Sequence, residues 1–452
     1  MKPVVRVAEM AAIDAEADDS VDVLIDRAGR ATAHAARSMM GGSYGRRVVV
    51  LHGTGNNGAD GRVAGRVLAR RGVRVTEIDL ATAPAVLPDC DLVIDAAVGT
   101  GCTRDFFAPD PGDAAVLAVD IPSGVHGDTG RAMGQPMRAD ETITFGAYKP
   151  GLVMGDGPRY AGIVRVADIG LDVQRSTIDL VDDAGSRALL PARDVSAHKW
   201  RQAVLVVAGS PGMTGAASMA AAAAQRAGAG MVRVAAPGVD ESVGPVEAVS
   251  TAVDERAWAE TLLDDHERFH AVAIGPGLGH SMVTRHQVRL FVGRTRKPVV
   301  IDGDGLTALG TDVADVLAGR AAPTVLTPHD GEFERLTGAR PGDDRMSPAQ
   351  ELAVRAGVTV LLKGPTTVIA APNGALRLVD RGDARLATAG TGDVLTGVVA
   401  AMLAAGLDGF DAAAVGAHVH ATAGTFAPVV GAIASDVIDH LPEALAAIGG
   451  RS

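Results

Sequence analysis

Short apolar runs rich in β-branched residues recur along the whole chain, and most of them end in a glycine-rich or polar loop. Two amphipathic stretches near the start, Val7–Ala17 and Val21–Met39, predict helices. The next apolar runs predict three strands, Arg47–His52, Asp91–Ala96 and Ala115–Asp120. A predicted helix, Arg62–Arg71, lies between the first two of these strands. This strand-loop-helix order is typical of a parallel sheet, whose ligands bind where the carboxyl ends of the strands meet.

The alternation stops between Asp168 and Val195, and this polar segment is interpreted as a linker. A second series of predicted strands follows: Ala203–Ala208, Met231–Ala235, Ala271–Ile274, Val299–Asp302, Thr324–Leu326, Val358–Leu362, Thr367–Ala370 and Leu376–Val379. The last two of these predict an antiparallel pair. The last third is predicted to be helical, most clearly in Val394–Ala404 and Asp411–Phe426. We therefore predict two α/β domains, in residues 1–172 and 190–452.

The composition is that of an ordinary globular protein. A length of 452 residues exceeds one usual hydrophobic core, which agrees with two domains. The net charge of -12 disfavours non-specific nucleic-acid binding. Only two cysteines occur, as expected in a reducing cytoplasm. The N-terminus lacks the apolar stretch of a signal peptide, and the uncharged runs Gln202–Gln225 and Ala412–Ser435 are interpreted as buried helices and loops and not as membrane spans. We therefore expect a cytoplasmic protein without a membrane partner.

The glycine-rich segment Gly53–Gly61 directly follows the first predicted strand of a parallel sheet. Glycines allow successive backbone N–H groups to approach an anion, although a purely structural loop explains the segment almost as well. Asn57, Asp95 and Ser123 all stand at or just after the ends of different predicted strands. Their amide, carboxylate and hydroxyl oxygens are suitable ligands for a hard cation. The alternative is that Asp95 and Asp120 only cap nearby loops or helices.

The second half contains Ala387-Thr-Ala-Gly-Thr-Gly-Asp393 directly before an apolar helix. A glycine-rich turn at a helix start directs free N–H groups toward negative charge, which is the requirement for stabilising a transferring phosphoryl group. Asp393 is placed to accept a proton from an attacking hydroxyl. The alternative role for Asp393 is an ordinary helix N-cap.

Further loops of the second half carry residues suited to nucleotide chemistry. Lys363–Thr367 leaves a strand and is suited to a nucleotide's phosphates or sugar, while Asp302 and Asp304 are suited to holding Mg²⁺ indirectly. Thr327–Glu332 places His329 and two carboxylates in one loop, although His329 alone is equally explained by hydrogen bonds within the loop.

The first half resembles the N-terminal domain of the NAD(P)HX epimerase family over roughly residues 1–170. The resemblance is carried, in order, by Leu24–Gly29, the loop Gly-Asn-Asn-Gly-Ala-Asp-Gly, Asp95–Gly101 and Val119–Gly124. It implies a Rossmann-like three-layer αβα sandwich in which Asp120 does proton work and Asn57, Asp95 and Ser123 bind K⁺. The substrate contacts that it implies are Asn56, Asn57, Gly58, Ala59, Asp60, Gly99, Thr100, Gly101, Cys102, Thr103, Arg104, Asp105 and Asp120.

Two departures from the family pattern keep an inactive first half with an intact fold as an alternative. Ala59 stands where the family usually has glycine, which would add a methyl group inside a tight loop. The segment Cys102–Asp113 is too short for the helix that usually separates the adjoining strands. Lys149, in Phe145-Gly-Ala-Tyr-Lys-Pro-Gly151, also matches the family, but an exposed, solvated lysine is the simpler interpretation.

The second half resembles the ADP/ATP-dependent NAD(P)HX dehydratase family, a branch of the ribokinase-like fold, over about residues 190–448. The matching motifs, in order, are His198-Lys199, Gly209–Ala216, Gly275–Gly279, Asp302–Leu306, Thr327–Glu332, Lys363–Thr367 and Gly390–Asp393. The substrate contacts that this resemblance implies are Ala216, Gly277, His329 and Asp393. The nucleotide contacts that it implies are Lys363, Gly364, Pro365, Thr366, Thr367 and Gly392.

Together the two resemblances imply a bifunctional isomerase and lyase that epimerises hydrated NADH or NADPH and then dehydrates one epimer with ADP or ATP. The expected partners are these small molecules, with ADP favoured over ATP by the resemblance to bacterial fusions, and with Mg²⁺ accompanying the nucleotide. We also expect a homo-oligomer. The alternatives are a ribokinase-like kinase of a small alcohol, and a dehydratase whose first domain only binds ligands.

Overall fold

The computed structural model describes residues 1–191 and 198–449. The chain divides into two compact units, one of Lys2–Ile178 and one of Asp179–Ser452 together with Met1. The boundary lies inside the segment that the sequence indicates as a linker. Within that segment, a strand at Ile178–Leu180 and a helix at Asp183–Leu189 show that the linker interpretation is wrong for these residues. Residues 192–195 of that segment and residues 450–452 lie outside the described residues.

The first unit contains a six-stranded parallel sheet. The strands of this unit are β1 (Lys2–Val4), β2 (Arg47–His52), β3 (Arg74–Asp79), β4 (Leu92–Ala96), β5 (Phe106–Phe107), β6 (Ala115–Val119), β7 (Gly134–Gln135), β8 (Glu141–Phe145) and β9 (Ile163–Ala167). The helices are α1 (Val7–Glu16), α2 (Val21–Met39), α3 (Asn56–Ala69), α4 (Pro150–Val153) and α5 (Gly157–Ala161). The strand order of the sheet is β3-β2-β4-β6-β8-β9, and all neighbouring strands are parallel.

The two faces of this sheet are covered differently. Helices α2 and α3 contribute Leu24, Ala64 and Leu68 to the apolar core on one face. The other face is covered by irregular segments whose buried side chains include Phe106 and Met137. The connection from β4 to β6 contains only the two-residue strand β5, so it lacks the usual helix, as its short length predicts.

The segment Gly53–Gly61 is mostly helical, so the predicted loop is wrong from Asn56 onward. Helix α3 begins at Asn56, six residues before the predicted Arg62. A Cβ atom at Gly58 would overlap the backbone oxygen of Gly53, and one at Gly61 would press on the side chain of Ala96. The glycines therefore allow the helix to lie close to the strands, and this packing outweighs their poor helix propensity. Ala59 is a half-buried residue of this helix and does not lie in a tight loop.

In its described residues, 179–191 and 198–449, the second unit contains ten strands with helices on both faces. The strands are β10 (Ile178–Leu180), β11 (Ala203–Val207), β12 (Met231–Pro237), β13 (Val249–Val253), β14 (Ala271–Ile274), β15 (Val299–Ile301), β16 (Thr324–Leu326), β17 (Thr359–Leu362), β18 (Thr367–Ala370) and β19 (Leu376–Val379). The helices are α6 (Asp183–Leu189), α7 (Thr214–Arg226), α8 (Trp258–Asp265), α9 (Met282–Arg294), α10 (Asp304–Leu309), α11 (Val313–Leu317), α12 (Asp330–Thr337), α13 (Met346–Ala356), α14 (Thr391–Ala404), α15 (Gly409–Phe426) and α16 (Ala434–Gly449).

The strand order in this unit is β10-β19-β18-β17-β16-β15-β14-β11-β12-β13. Strands β11 to β17 pair in parallel, whereas β17-β18 and β18-β19 pair antiparallel, so the predicted antiparallel pair is confirmed. Helices α7, α14, α15 and α16 share one apolar core, in which small side chains allow close approach. The predicted architecture of two α/β domains with parallel sheets is confirmed.

The alanine-rich runs are accounted for by this packing. Helices α7 and α15 bury alanines such as Ala220 and Ala414 inside the second unit. Among the described residues, no helix is both long enough and apolar enough to cross a bilayer.

We predict that Arg320→Ala destabilises the second unit by about 2–3 kcal/mol, because a charged donor to several buried carbonyl groups is lost. The guanidinium of Arg320 donates to the backbone oxygens of Val292, Thr295 and Lys297 at 2.7, 2.6 and 2.9 Å, and thereby closes the end of α9. Urea unfolding followed by tryptophan fluorescence reports on this unit alone, because both tryptophans, Trp200 and Trp258, belong to it.

Arg355→Ala is the matched control, since Arg355 lies exposed on α13 and should change the unfolding free energy by less than about 0.5 kcal/mol. Equal effects of the two substitutions would contradict the proposed role of Arg320.

Candidate active sites

A pocket of about 660 Å³ opens at the carboxyl end of the parallel sheet in the first unit. Its wall includes the start of α3, the segment Ala97–Gly101 after β4, and Asp120 after β6. Apolar side chains from α1 and α2, such as Met10 and Leu24, complete the wall. The predicted contact residues that line this pocket are Asn56, Asn57, Gly58, Asp60, Gly99, Thr100, Gly101 and Asp120.

The remaining predicted contacts of the first unit lie outside this wall. Ala59 is a half-buried residue of α3, and Thr103, Arg104 and Asp105 are exposed. Cys102 is buried in the core on the far face of the sheet, where its thiol donates to the Arg104 backbone oxygen at 3.4 Å.

A buried ion pair lies at the inner end of the pocket. The Lys149 ammonium lies 2.5 Å from the Asp120 carboxylate and also donates to the Thr144 hydroxyl and the Phe145 backbone oxygen at 3.0 and 2.9 Å. Lys149 is 1% exposed, so the interpretation of it as a solvated lysine is wrong. The run Phe145-Gly-Ala-Tyr148, which precedes Lys149 and carries no charge, was the sequence feature that could have indicated its burial. Lys149 therefore compensates the charge of Asp120.

The backbone at Asp120 is unusual. Its φ is 66°, and it is the only residue other than glycine with positive φ in the part of the chain that the structure describes. Such a conformation costs free energy and persists where the surrounding structure requires it, which is common at functional sites. The backbone thus holds this carboxylate against Lys149.

Two more aspartates, Asp14 of α1 and Asp60 of α3, line the same pocket. Burial, together with the negative charges of Asp120 and Asp14, raises the pKa of Asp60 to about 8, against a smaller opposing effect of Lys149. Burial also raises the pKa of Asp14. Asp60 therefore holds a proton near neutral pH and can donate it, whereas the neighbouring Asp120 is paired with an ammonium group. Asp14 belongs to no motif, so sequence reasoning missed it.

Asp95 and Ser123 contact each other, and Asn57 lies against Gly99 in the segment that follows β4. Asp95 is fully buried at the end of β4, where its carboxylate accepts hydrogen bonds from the hydroxyl and the backbone N–H of Ser123 at 2.6 and 2.8 Å. Burial raises the pKa of Asp95, against these hydrogen bonds. The side-chain oxygen and nitrogen of Asn57 are buried and have no hydrogen-bond partner among the residues that the structure describes. An orphaned amide oxygen next to a segment that holds a buried carboxylate fits a cation with oxygen ligands.

The second candidate site lies at the start of α14. Gly390 is the N-cap with a φ of 91°, no side chain caps the helix, and Asp393 is the third helical residue. The alternative that Asp393 is the N-cap is therefore wrong. Amides in the first turn of a helix have no acceptor within the helix, so those of Gly392 and Asp393 are available to an anion.

The Asp393 carboxyl group is surrounded by other acidic groups. Burial and the negative charges of Asp302, Asp304 and Glu332 raise its pKa to about 6, while Lys363 lowers it. The carboxylate is thus mostly ionised at neutral pH but keeps substantial basicity. This is the property required of a general base.

A buried network of charged and polar side chains lies near Asp393. The Lys363 ammonium lies 2.7 Å from Asp302 Oδ1 and 3.5 Å from Glu332 Oε2, and Asp302 Oδ2 accepts from the Thr396 hydroxyl at 2.7 Å. Burial lowers the pKa of Lys363, but the two carboxylates raise it by more, so that the net shift is upward and the ammonium stays charged. A Cβ atom at Gly392 would lie 3.5 Å from Lys363 Nζ. A positive charge therefore borders the start of α14.

Asp302 and Asp304 already have partners within the protein. Both carboxylate oxygens of Asp302 are engaged in the network, and Asp304 accepts from the Gly279 backbone N–H at 2.7 Å. His280 lies 3.3 Å from the other oxygen of Asp304. The predicted indirect role of this pair in holding Mg²⁺ is compatible with these contacts.

His329 is the N-cap of α12. Its Nδ1 accepts from the Gly331 backbone N–H at 3.0 Å, and the Glu332 carboxylate accepts from the His329 backbone N–H at 2.8 Å. The alternative of hydrogen bonding within the loop is thus confirmed. The imidazole is still 56% exposed, which leaves its outer edge accessible to a substrate.

Two glycine-rich strand exits contact each other in this unit. The Ser210 hydroxyl donates to the Gly277 backbone oxygen at 2.8 Å. Gly277 has a φ of 65°, and a Cβ atom there would lie 3.1 Å from that of Ala216. The predicted contact residues Ala216 and Gly277 are therefore neighbours.

Arg345, which belongs to no predicted motif, contacts the start of the segment Lys363–Thr367. Arg345 donates to the Lys363 backbone oxygen at 2.7 Å and forms an ion pair with Asp330 at 2.8 Å. Gly364 and Pro365 are exposed, whereas Thr366 is buried. Arg345 therefore joins the His329 loop to the predicted nucleotide loop.

Comparison with known proteins agrees with this division of the chain. The family described as NAD(P)H-hydrate dehydratase matches residues 204–443, and the family described as YjeF-related protein N-terminus matches residues 21–90 and 77–151. The bifunctional NAD(P)H-hydrate repair enzyme of Salinibacter ruber is 35% identical over 94% of this chain and 92% of its own length. The enzyme of the same name from Moorella thermoacetica is 36% identical over 94% of this chain and 92% of its own length.

Solved structures agree for the second unit. The ADP/ATP-dependent NAD(P)H-hydrate dehydratase of Bacillus subtilis, co-crystallised with ATP and Mg²⁺, matches 60% of this chain and 98% of its own, with a TM-score of 0.54 and 30% identity. Both family matches and the relatives that span nearly the whole chain lead to one conclusion. The chain belongs to the family of bifunctional NAD(P)H-hydrate repair enzymes.

Proposed function

We propose that this protein repairs hydrated nicotinamide nucleotides. The first unit interconverts the R and S epimers of hydrated NADH or NADPH, and the second unit dehydrates the S epimer at the expense of ADP or ATP. The observation that carries the proposal is the start of α14, where uncapped amides lie beside the basic carboxylate of Asp393. The same chain provides a second pocket, whose wall contains both the protonated Asp60 and the ion-paired Asp120.

In the second unit, the substrate hydroxyl must become a better leaving group. Asp393 accepts its proton while the hydroxyl oxygen attacks the terminal phosphorus of the nucleotide, and the P–O bond to AMP or ADP breaks. The backbone amides of Gly392 and Asp393 and the Lys363 ammonium stabilise the charge on the phosphoryl oxygens. Loss of phosphate from C6 and of a proton from C5 then restores the dihydronicotinamide ring.

The remaining predicted contacts of this unit surround that reaction. Ala216, Gly277 and His329 bind the hydrated ring, and Lys363–Thr367 together with Gly392 bind the adenine nucleotide. The relative from B. subtilis, co-crystallised with ATP and Mg²⁺, supports an adenine nucleotide here. Since Asp302 and Asp304 already have partners within the protein, Mg²⁺ would be carried chiefly by the phosphates of the nucleotide.

In the first unit, C6 of the substrate carries a hydroxyl group and is bonded to the ring nitrogen. Its configuration inverts when the C–N bond opens to an aldehyde and closes again on the other face. Asp120 accepts the hydroxyl proton and protonated Asp60 donates to the ring nitrogen, which balances the step. Lys149 holds the charge of Asp120 in place.

K⁺ is held by Asn57, Asp95 and Ser123 in this proposal. The unpartnered amide of Asn57 and the buried carboxylate of Asp95 support it. When bound, the cation supplies positive charge next to the pocket. We further propose a homo-oligomeric protein of the cytoplasm.

We predict that Asp393→Asn lowers nucleotide-dependent dehydration by at least about 100-fold, because the amide cannot accept the proton. For the wild-type protein, dehydration should rise with pH through about 6 and then level off, since the base acts only when ionised. Recovery of dihydronicotinamide absorbance from hydrated NADH with ADP or ATP measures both effects.

Glu351→Gln, an exposed change on α13, serves as the control and should retain wild-type turnover. Near-normal activity of Asp393→Asn removes this residue as the base, and a stable phosphorylated product would favour a kinase.

We predict that Asp120→Asn and Asp60→Asn each slow epimer equilibration by about 100-fold or more, through loss of the base and of the acid. In the wild-type protein the rate should fall as pH rises through about 8, where Asp60 loses its proton. Chromatographic separation of the epimers over time, without nucleotide, measures the rate.

Asp113→Asn is the matched control because Asp113 is exposed and lies away from the pocket. If the wild-type protein leaves the epimers unequilibrated, the first unit is no epimerase.

We predict that replacing K⁺ by tetramethylammonium slows epimer equilibration and speeds amide hydrogen exchange in the segments 95–101 and 120–124. The reason is that the buried Asp95 carboxylate then lacks its cation. Exchange measured by mass spectrometry reports binding separately from activity. Asn57→Ala should abolish the response to K⁺, and an unchanged response in that variant would contradict this site.

A further inference from the structure

A fourth aspartate lines the pocket of the first unit, at the end opposite to Asp120. Asp79 is the last residue of β3, and its carboxylate accepts the Ala81 backbone N–H at 2.8 Å. The residue is exposed, and β3 is the edge strand of the sheet. Asp79 is therefore accessible to a ligand at the rim of the pocket.

The strand order fixes where the parts of a dinucleotide lie in this pocket. Helix α3 follows β2, and its free N-terminal amides suit the pyrophosphate. The groups proposed for proton transfer follow β6, on one side of β2, and Asp79 follows β3 on the other side. With neighbouring strands about 4.8 Å apart, β3 and β6 are separated by about 14 Å, a distance that an extended dinucleotide spans. A nicotinamide ring at Asp120 therefore places the adenosine ribose near Asp79.

The charges around the pocket oppose an additional phosphate on that ribose. The ionisable residues of the wall are four aspartates and one lysine: Asp14, Asp60, Asp79, Asp120 and Lys149. The ammonium of Lys149 is already paired with Asp120, at the other end. Arg62 lies nearby but is outside the wall and donates to the Gly53 backbone oxygen at 3.1 Å. The wall thus offers no unpaired cation to a 2′-phosphate among the described residues.

We propose that Asp79 makes the first unit selective for hydrated NADH over hydrated NADPH. Its carboxylate accepts a hydrogen bond from the ribose 2′-hydroxyl and repels a 2′-phosphate, as an acidic residue at the end of the second strand does in other dinucleotide-binding sheets. This inference rests on the proposed epimerase function of the first unit. It assigns to Asp79 a role in specificity and none in the proton transfers.

The test compares kcat/KM for epimer equilibration of hydrated NADH and hydrated NADPH, without nucleotide, in the wild-type protein, Asp79→Asn and Glu77→Gln. Asparagine keeps the acceptor for the Ala81 N–H and removes only the charge. The wild-type protein should favour hydrated NADH by about tenfold or more, and Asp79→Asn should reduce this preference to about threefold or less by accelerating hydrated NADPH. Glu77→Gln, on the same strand but outside the pocket wall, should leave the preference unchanged.

Calorimetric titration with NADH and NADPH provides a readout that needs no turnover. Asp79→Asn should tighten NADPH binding relative to the wild-type protein, and because the substitution lies in the first unit, the difference belongs to that unit. Equal preference of the wild-type protein for both substrates, or the same preference and the same NADPH affinity in Asp79→Asn, overturns the inference. Absence of epimerisation with both substrates, alongside a change in NADPH affinity, contradicts the proposed activity and leaves the role of Asp79 supported.

Discussion

A buried lysine stays charged only when a carboxylate lies beside it, and this constraint organises both candidate sites. Lys149 pairs with Asp120 after β6, and Lys363 pairs with Asp302 after β15. In each site the positive charge of the lysine is thus neutralised by one aspartate. Each site also contains a second aspartate, Asp60 or Asp393. Burial and the negative charges of its neighbours raise the pKa of this second aspartate.

The difference between these two second aspartates matches the difference between the proposed reactions. The pKa of Asp393 is raised to about 6, so that at neutral pH this group is mainly a base. The pKa of Asp60 is raised to about 8, so that at the same pH it is mainly an acid. The raised pKa of Asp60 also affects the stability of the fold. Between about pH 4 and pH 8 the folded state keeps a proton on Asp60 that the unfolded state, with a pKa of 3.8, has released. The contribution of Asp60 to the free energy of unfolding therefore falls as pH rises through this range. Such a cost is typical of a functional group.

The sequence was most informative where local pattern and tertiary structure agree. The apolar strands and the motif Gly390–Asp393 were predicted correctly for this reason. A run of β-branched apolar residues is compatible with few structures besides a buried strand, and a glycine-rich turn before an apolar run with few besides a helix start. The polar edge strand β3 escaped notice, since only two of its six residues are even partly buried. The helical start of α3 and the burial of Lys149 also depend on contacts from distant segments, such as Ala96 against Gly61 and Asp120 against Lys149. Local composition cannot report such contacts.

The acidic walls have a final consequence for ligand binding. Around Asp393 lie Asp302, Asp304 and Glu332 with a single lysine, and the first pocket has four aspartates with a single lysine. Phosphates entering either site therefore depend mainly on backbone amides at the starts of α3 and α14, whose attraction for anions does not vary with pH. The acidic side chains are then free to exchange protons without releasing the ligand. This separation of anion binding from proton transfer explains how walls of the same charge sign as the substrate can serve the chemistry.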